Sequence, residues 1–187
     1  MIAGIVIGAV VLILILWFVS LYNTLQRLET NREQAFADID VQLKQRHDLI
    51  PQLVATVKGY AQQEEKVLTQ VTQARARAMS AGTVNEKIAA EAALAGAMSQ
   101  FSMQMEAYPD LKSNTNFLQL QNEMSDIENK LSAVRRFFNS ATKALNVKTK
   151  TFPSNIVARM AKISEEPFFD LGVVKREELD EAPKVEF

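Results

Sequence analysis

With 187 residues, no cysteine and one histidine, the chain has room for one ordinary domain plus an anchor. The missing cysteine excludes a disulfide framework, a thiolate nucleophile and any Cys-based metal site, and it fits a reducing compartment. A net charge of −1 provides no global field of the kind that marks nucleic-acid binders, and six glycines and five prolines among abundant alanine, leucine, glutamine and charged residues favour long helices over sheets.

The first element is the run Ile2 to Val19, IAGIVIGAVVLILILWFV, which has no charged or polar side chain. At about 1.5 Å per residue it makes roughly 27 Å of helix, close to the hydrocarbon thickness of a bilayer. Trp17 and Tyr22 stand at its C-terminal end, where amphipathic rings favour the membrane interface. No Lys or Arg precedes the run and Trp-Phe-Val-Ser-Leu-Tyr closes it, so the expectation is an uncleaved transmembrane helix and not a signal peptide. Arg27, Arg32, Lys44 and Arg46 follow it, which by the positive-inside rule places the body in the cytoplasm. Gly4 and Gly8 form a small-xxx-small pair through which two membrane helices can pack closely.

From Leu21 the apolar pattern becomes periodic. Leu21, Leu25, Leu28, Ala35, Ile39 and Leu43 mark one helix face, with Arg32 falling in register, and no breaker separates this face from the anchor. In LKQRHDLIPQLV, Asp48 is placed to cap a new helix and Pro51 suits a first turn. The pattern therefore predicts an inter-helix corner at Asp48 and Pro51, with a single helix kinked at Pro51 as the alternative. Beyond it Leu53, Val57, Tyr60, Val67, Val71, Ala74 and Ala78 line a second stripe, with Glu64 on the same seam. Thr83-Val-Asn-Glu86 has the pattern of a capping box and opens a third helix whose inward positions are Val84, Ile88, Leu94, Met98, Phe101 and Met105. Tyr108-Pro109-Asp110 ends it.

A fourth helix, from about Thr115 to Val147, carries Phe117, Leu120, Met124, Ile127, Leu131, Val134, Phe138, Ala141 and Leu145 at heptad spacing. Ser154 is expected to cap a short helix from Asn155 to about Ile163. The predicted fold is all-α: an N-terminal transmembrane helix continues into an elongated antiparallel four-helix bundle of coiled-coil-like helices, followed by a short C-terminal helix and a flexible tail. Residues 1–22 would be the anchor, 23–170 the bundle, and 171–187 a poorly ordered acidic tail.

No catalytic constellation emerges. The chain lacks a Gly-rich phosphate loop, HExxH and GxSxG. His47 has no second histidine with which to share a metal, and beside Arg46 and Asp48 it reads as a solvated or capping residue at a helix end. Glu64 and Glu65 lack the Glu-x-x-His partner of a di-metal bundle. Arg75 and Arg77 suit the end of a helix dipole, and Arg135 and Arg136 beside Phe137 and Phe138 read as a solvated face, not a nucleic-acid surface. The expectation is therefore no enzyme activity, cofactor, metal, nucleic acid or small-molecule substrate. The partners expected are the lipid bilayer, further copies of the chain in a homo-oligomer, and another membrane protein.

The stretch YNTLQRLETNREQAFADIDVQLKQRHDLIPQLVATVKGYAQQEEKVLTQVTQARARA, from Tyr22 to Ala78, resembles the LemA family, and so does the later RRFFNSATKALNVKTKTFPSNIVARM with the closing Pro167-Phe-Phe. The resemblance covers nearly the whole chain. It implies a bacterial single-pass membrane protein with an antiparallel helical bundle and no established enzymatic activity. One departure is His47, at a position that looks more usually aromatic in such proteins. The function expected is a self-assembling membrane scaffold. The alternative is an adaptor that offers Phe168, Phe169 and the acidic tail to another envelope protein, although the two phenylalanines are expected in the first place to fold back as a plug on the bundle end.

Overall fold

The computed structural model describes residues 2–61 and 64–169. The tail expected at 171–187 lies outside them. Among the described residues six α-helices follow one another: α1 (Ile2–Lys58), α2 (Glu65–Ser80), α3 (Val84–Met105), α4 (Pro109–Lys112), α5 (Thr115–Lys150) and α6 (Ser154–Met160). The all-α class, the long N-terminal helix, the antiparallel packing and the short C-terminal helix follow the apolar periodicity.

The corner expected at Asp48 and Pro51 is not there. α1 continues through both residues to Lys58, and the chain turns instead at Gly59-Tyr60, where the Val57 carbonyl accepts from the amides of Tyr60 at 2.9 Å and Ala61 at 3.0 Å. An internal proline removes one helical N–H, here the one that would reach the carbonyl of His47 four residues back. That carbonyl is not orphaned, because the Nε of Arg75 donates to it at 2.6 Å. Asp48 caps nothing. It is exposed, and its carbonyl accepts from the side chain of Gln52.

The capping box at the start of α3 is formed. Thr83 Oγ1 accepts from the Glu86 amide at 3.2 Å, and Glu86 Oε2 accepts from the amides of Thr83 at 2.9 Å and Gly82 at 3.0 Å. Those two amides hold the Glu86 carboxyl below the usual carboxylate range. Asn114 caps α5 by accepting from the Phe117 amide at 3.0 Å. Ser154 does not cap α6 from outside. It is the first residue of that helix, and its hydroxyl turns back to donate to the carbonyls of Lys148 and Thr151. α6 ends in a Schellman motif: Ile163 N–H donates to the Ala158 carbonyl, Lys162 N–H to that of Arg159, and Lys162 takes φ 59°.

The chain packs as two compact units, one from the described residues of Met1–Asp40 and Ser132–Phe168, the other from those of Val41–Leu131 and Phe169–Phe187. In the first unit α1 and α5 run antiparallel. Leu25 packs with Leu145, Arg32 donates from Nε to Thr142 Oγ1, and the rings of Phe36 and Phe138 lie 5.6 Å apart. The Arg32 that interrupts the apolar stripe keeps its place by stacking over Phe138, 5.0 Å from the ring centroid, and pairing with Glu166 at 3.0 Å. The extended segment after α6 is fastened by buried Asn146, whose amide donates to the Glu166 carbonyl and accepts from the Glu166 N–H.

The second unit gathers α2, α3 and the adjoining parts of α1 and α5 around Ile50, Leu53, Val57, Val71, Leu94, Phe101 and Phe117. α2 and α3 form a tight hairpin across 81–83. Tyr60, expected inward, is instead largely exposed at the turn, with its hydroxyl accepting from Asn114 Nδ2 at 2.8 Å. Tyr108 donates its hydroxyl to Glu64 Oε1 at 3.1 Å, and partial burial together with that carboxylate raises the phenol above its usual value.

Candidate functional site

On α1, Leu43, Arg46, His47 and Ile50 lie at three- and four-residue steps, so Arg46 and His47 point into the apolar seam beside two buried aliphatics. On α3 the inward series Val84, Ile88, Leu94 and Met98 leaves one step to be filled, and Glu91 fills it. Glu91 retains only 1% of its exposure. Its Oε2 accepts from Arg46 Nη1 at 3.0 Å, and its Oε1 lies 2.7 Å from His47 Nε2. Arg46 Nε stands 2.9 Å from Glu128 Oε1 on α5, a partner that remains partly in solvent. With Arg75 of α2 on the His47 carbonyl, one polar cluster ties four helices of the second unit together.

This arrangement corrects the reading of His47 as solvated. Its imidazole is buried and one of its nitrogens is engaged by a carboxylate. Arg75, expected to complement a helix end, is half-buried and acts on the backbone of α1. Arg77 does remain exposed in the last turn of α2. Arg135 is half-buried, whereas Arg136 is exposed and donates to Ser132. Sequence reasoning missed Glu91 altogether, although its place in the three-and-four series of α3 was visible.

Chemically the cluster is an ionic clamp. A buried carboxylate facing a guanidinium and an imidazole is costly to desolvate, and here both carboxylate oxygens are engaged, while Arg46 Nε meets Glu128 as an ion pair and makes no hydrogen bond among the described residues. No hydroxyl or thiol nucleophile joins it. Among the described residues no group of three or more His, Cys, Asp or Glu side chains converges as a metal site.

Of the other predicted residues, Trp17 and Tyr22 are exposed on α1 just where the apolar run ends. Around Gly4 and Gly8 a Cβ would meet nothing within 4 Å, so neither glycine serves an approach within the chain. Phe169 is 3% exposed and has no surface to offer a partner, while Phe168 keeps about half of its own. The proposed aromatic pair is therefore split between core and surface.

The sequence profile of the LemA family matches residues 35–187. The chain belongs to the LemA family. It is also 25% identical over 164 residues to Protein LemA of Metamycoplasma hominis, an alignment covering 87% of this chain and 75% of that protein. The span matched to LemA begins at Ala35. It therefore contains Arg46, His47, Arg75, Glu91 and Glu128, while the apolar run of α1 precedes it.

Proposed function

We propose that this LemA-family chain is a single-pass, membrane-anchored helical scaffold without enzymatic activity. It assembles with copies of itself in a bacterial cell membrane, and its helical body faces the cytoplasm. The observation that carries this reading is the N-terminal part of α1. The helix is long and apolar enough to cross a membrane, and none of its apolar window is buried within the chain. The same helix then continues into the packed body without a break. A bilayer covers such a surface at no cost in unsatisfied backbone groups, because every internal amide is already bonded along the helix. Self-association draws support from Gly4 and Gly8, whose open surroundings leave their faces available to a neighbouring membrane helix.

The test is the particle mass of the full chain in mild detergent, beside a chain truncated before Asn23. A defined oligomer of the full chain that falls to monomer on truncation supports assembly through the anchor. Survival of the oligomer after truncation moves the contacts to the body. A strict monomer in both cases rejects the scaffold.

A further inference from the structure

α6 has two apolar faces. Its inner face, Val157 and Ala158, is buried with Leu25, Leu145 and Ile163, and Phe18, Leu21, Leu28 and Ala161 pack around that cluster. Its outer side carries Ile156 and Met160, spaced by four, with 52% and 68% of their surfaces exposed, and Phe152, in the turn just before the helix, is 80% exposed. A helix that is apolar on both sides is ordinarily covered on both, by protein or by lipid. Among the described residues only one side is covered by protein.

The place of α6 on α1 indicates what covers the other. Phe18 belongs to the apolar run, and Leu21 lies directly after it, next to Tyr22. The cluster that buries the inner face of α6 therefore reaches back to the C-terminal end of the apolar run, the stretch of α1 that also carries Trp17 and Tyr22. The charge of the segment agrees. From Ala141 to Ser164 it holds Lys143, Lys148, Lys150, Arg159 and Lys162 and no acidic residue; Glu165 and Glu166 follow, but Glu165 pairs with Lys150 at 2.6 Å and Glu166 with Arg32 at 3.0 Å, so Lys143, Lys148, Arg159 and Lys162 carry the basic excess of the segment. Apolar side chains framed by Lys and Arg are the composition of an interfacial helix on an anionic leaflet.

We propose that the outer face of α6 and the turn before it dock into the headgroup region of the bilayer that holds α1, with Phe152, Ile156 and Met160 in the acyl boundary and neighbouring cations such as Arg159 and Lys162 on anionic phosphates. This rests on the membrane-anchor reading of α1 and extends it. A lone helix leaves the body free to spin and tilt, whereas a second contact at Phe152 to Met160 gives the first unit one fixed side toward the membrane.

The chain has no cysteine, so single labels can be placed without background. Spin labels on Leu12→Cys, Met160→Cys and Met103→Cys, in the full chain reconstituted into phosphatidylcholine–phosphatidylglycerol vesicles, report collision with oxygen, which enters lipid, and with a nickel chelate, which stays in water. Met103 is the exposed control on α3. The expected result is an oxygen-to-chelate ratio at Met160 several-fold above that at Met103 and approaching that at Leu12. It should fall toward the Met103 value when Phe152→Glu and Ile156→Glu are added, with Leu12 unchanged. A water-like ratio at Met160 beside a lipid-like ratio at Leu12 overturns the docking and leaves the anchor standing. A water-like ratio at Leu12 overturns both. Dipolar broadening between Met160 labels that vanishes on dilution with unlabelled protein would put a second copy on this face and also overturn lipid docking.

Discussion

Glu91→Gln tests the clamp with minimal change of shape. The side chain keeps its volume, so no cavity term enters, but Arg46 and His47 lose the one carboxylate buried with them. Removing one partner of a buried ion pair costs about 3–5 kcal/mol, because the surviving charge stays desolvated. Arg46 retains Glu128 at 2.9 Å, a partly solvated partner, which places the loss near the lower end, about 3 kcal/mol. For a chain of this size that is a fall in melting temperature of roughly 6–12 °C, read by circular dichroism in detergent. Glu128→Gln, which removes only the solvated partner, should cost under about 1 kcal/mol. Replacing the whole set by Arg46→Met, His47→Phe and Glu91→Leu should recover most of the loss, since no charge is then left stranded. A Glu91→Gln shift within about 1 °C, or one no larger than that of Glu128→Gln, would refute the clamp, as would a triple variant less stable than the single one.

Arg75→Ala leaves the His47 carbonyl without a partner and should cost about 1–3 kcal/mol. In a Pro51→Ala background, where the restored N–H can reach that carbonyl, the cost should shrink by at least about 1 kcal/mol in a double-mutant cycle, and additive effects would count against the pairing. Lys162→Gly relieves a left-handed backbone at some cost in unfolded-state entropy, for a net gain of about 0.5–1 kcal/mol by thermal melting, and a loss of stability would contradict the Schellman geometry. Because Glu86 has its carboxyl lowered in the fold, its contribution is present above the unfolded value of 4.5 and disappears as pH falls through the lower folded value. The melting-temperature gap between wild type and Glu86→Gln should accordingly be flat near neutrality and close in acid, and a gap that persists unchanged would dismiss the carboxylate's role in the capping box.

The seams were legible because they are made by repetition. Leu25, Ile39, Val57, Val71, Leu94, Phe101, Ile127, Leu131, Phe138 and Leu145 each sit where a three-and-four spacing puts them, and all are buried. The capping box was legible for a similar reason, since both its bonds lie within four residues. The long apolar N-terminal helix needed only length and the absence of charge. What failed to show was anything whose partner is distant in the chain. Pro51 looked like a terminus because its local chemistry argues for one. The donor that lets α1 continue belongs to Arg75, on a different helix.

His47 and Glu91 failed for a related reason. A search for chemistry asks whether polar residues cluster in sequence, and these two lie 44 residues apart. A search for core asks for apolar residues and passes over a carboxylate at an inward step. The charged residues on the seams are Arg32, Arg46, Glu64 and Glu91. Arg32 takes Glu166 and the face of Phe138, Arg46 takes Glu91 and Glu128, and Glu64 takes the Tyr108 hydroxyl, so each charge that interrupts a stripe meets a polar partner from another element of its own unit. Apolar repetition is degenerate, because a heptad can slide by one repeat and still bury its stripe. A buried charge cannot slide without losing its partner. In each unit, then, the apolar residues supply the drive to pack, and the few charged residues on the seams select one register from those the repeats allow.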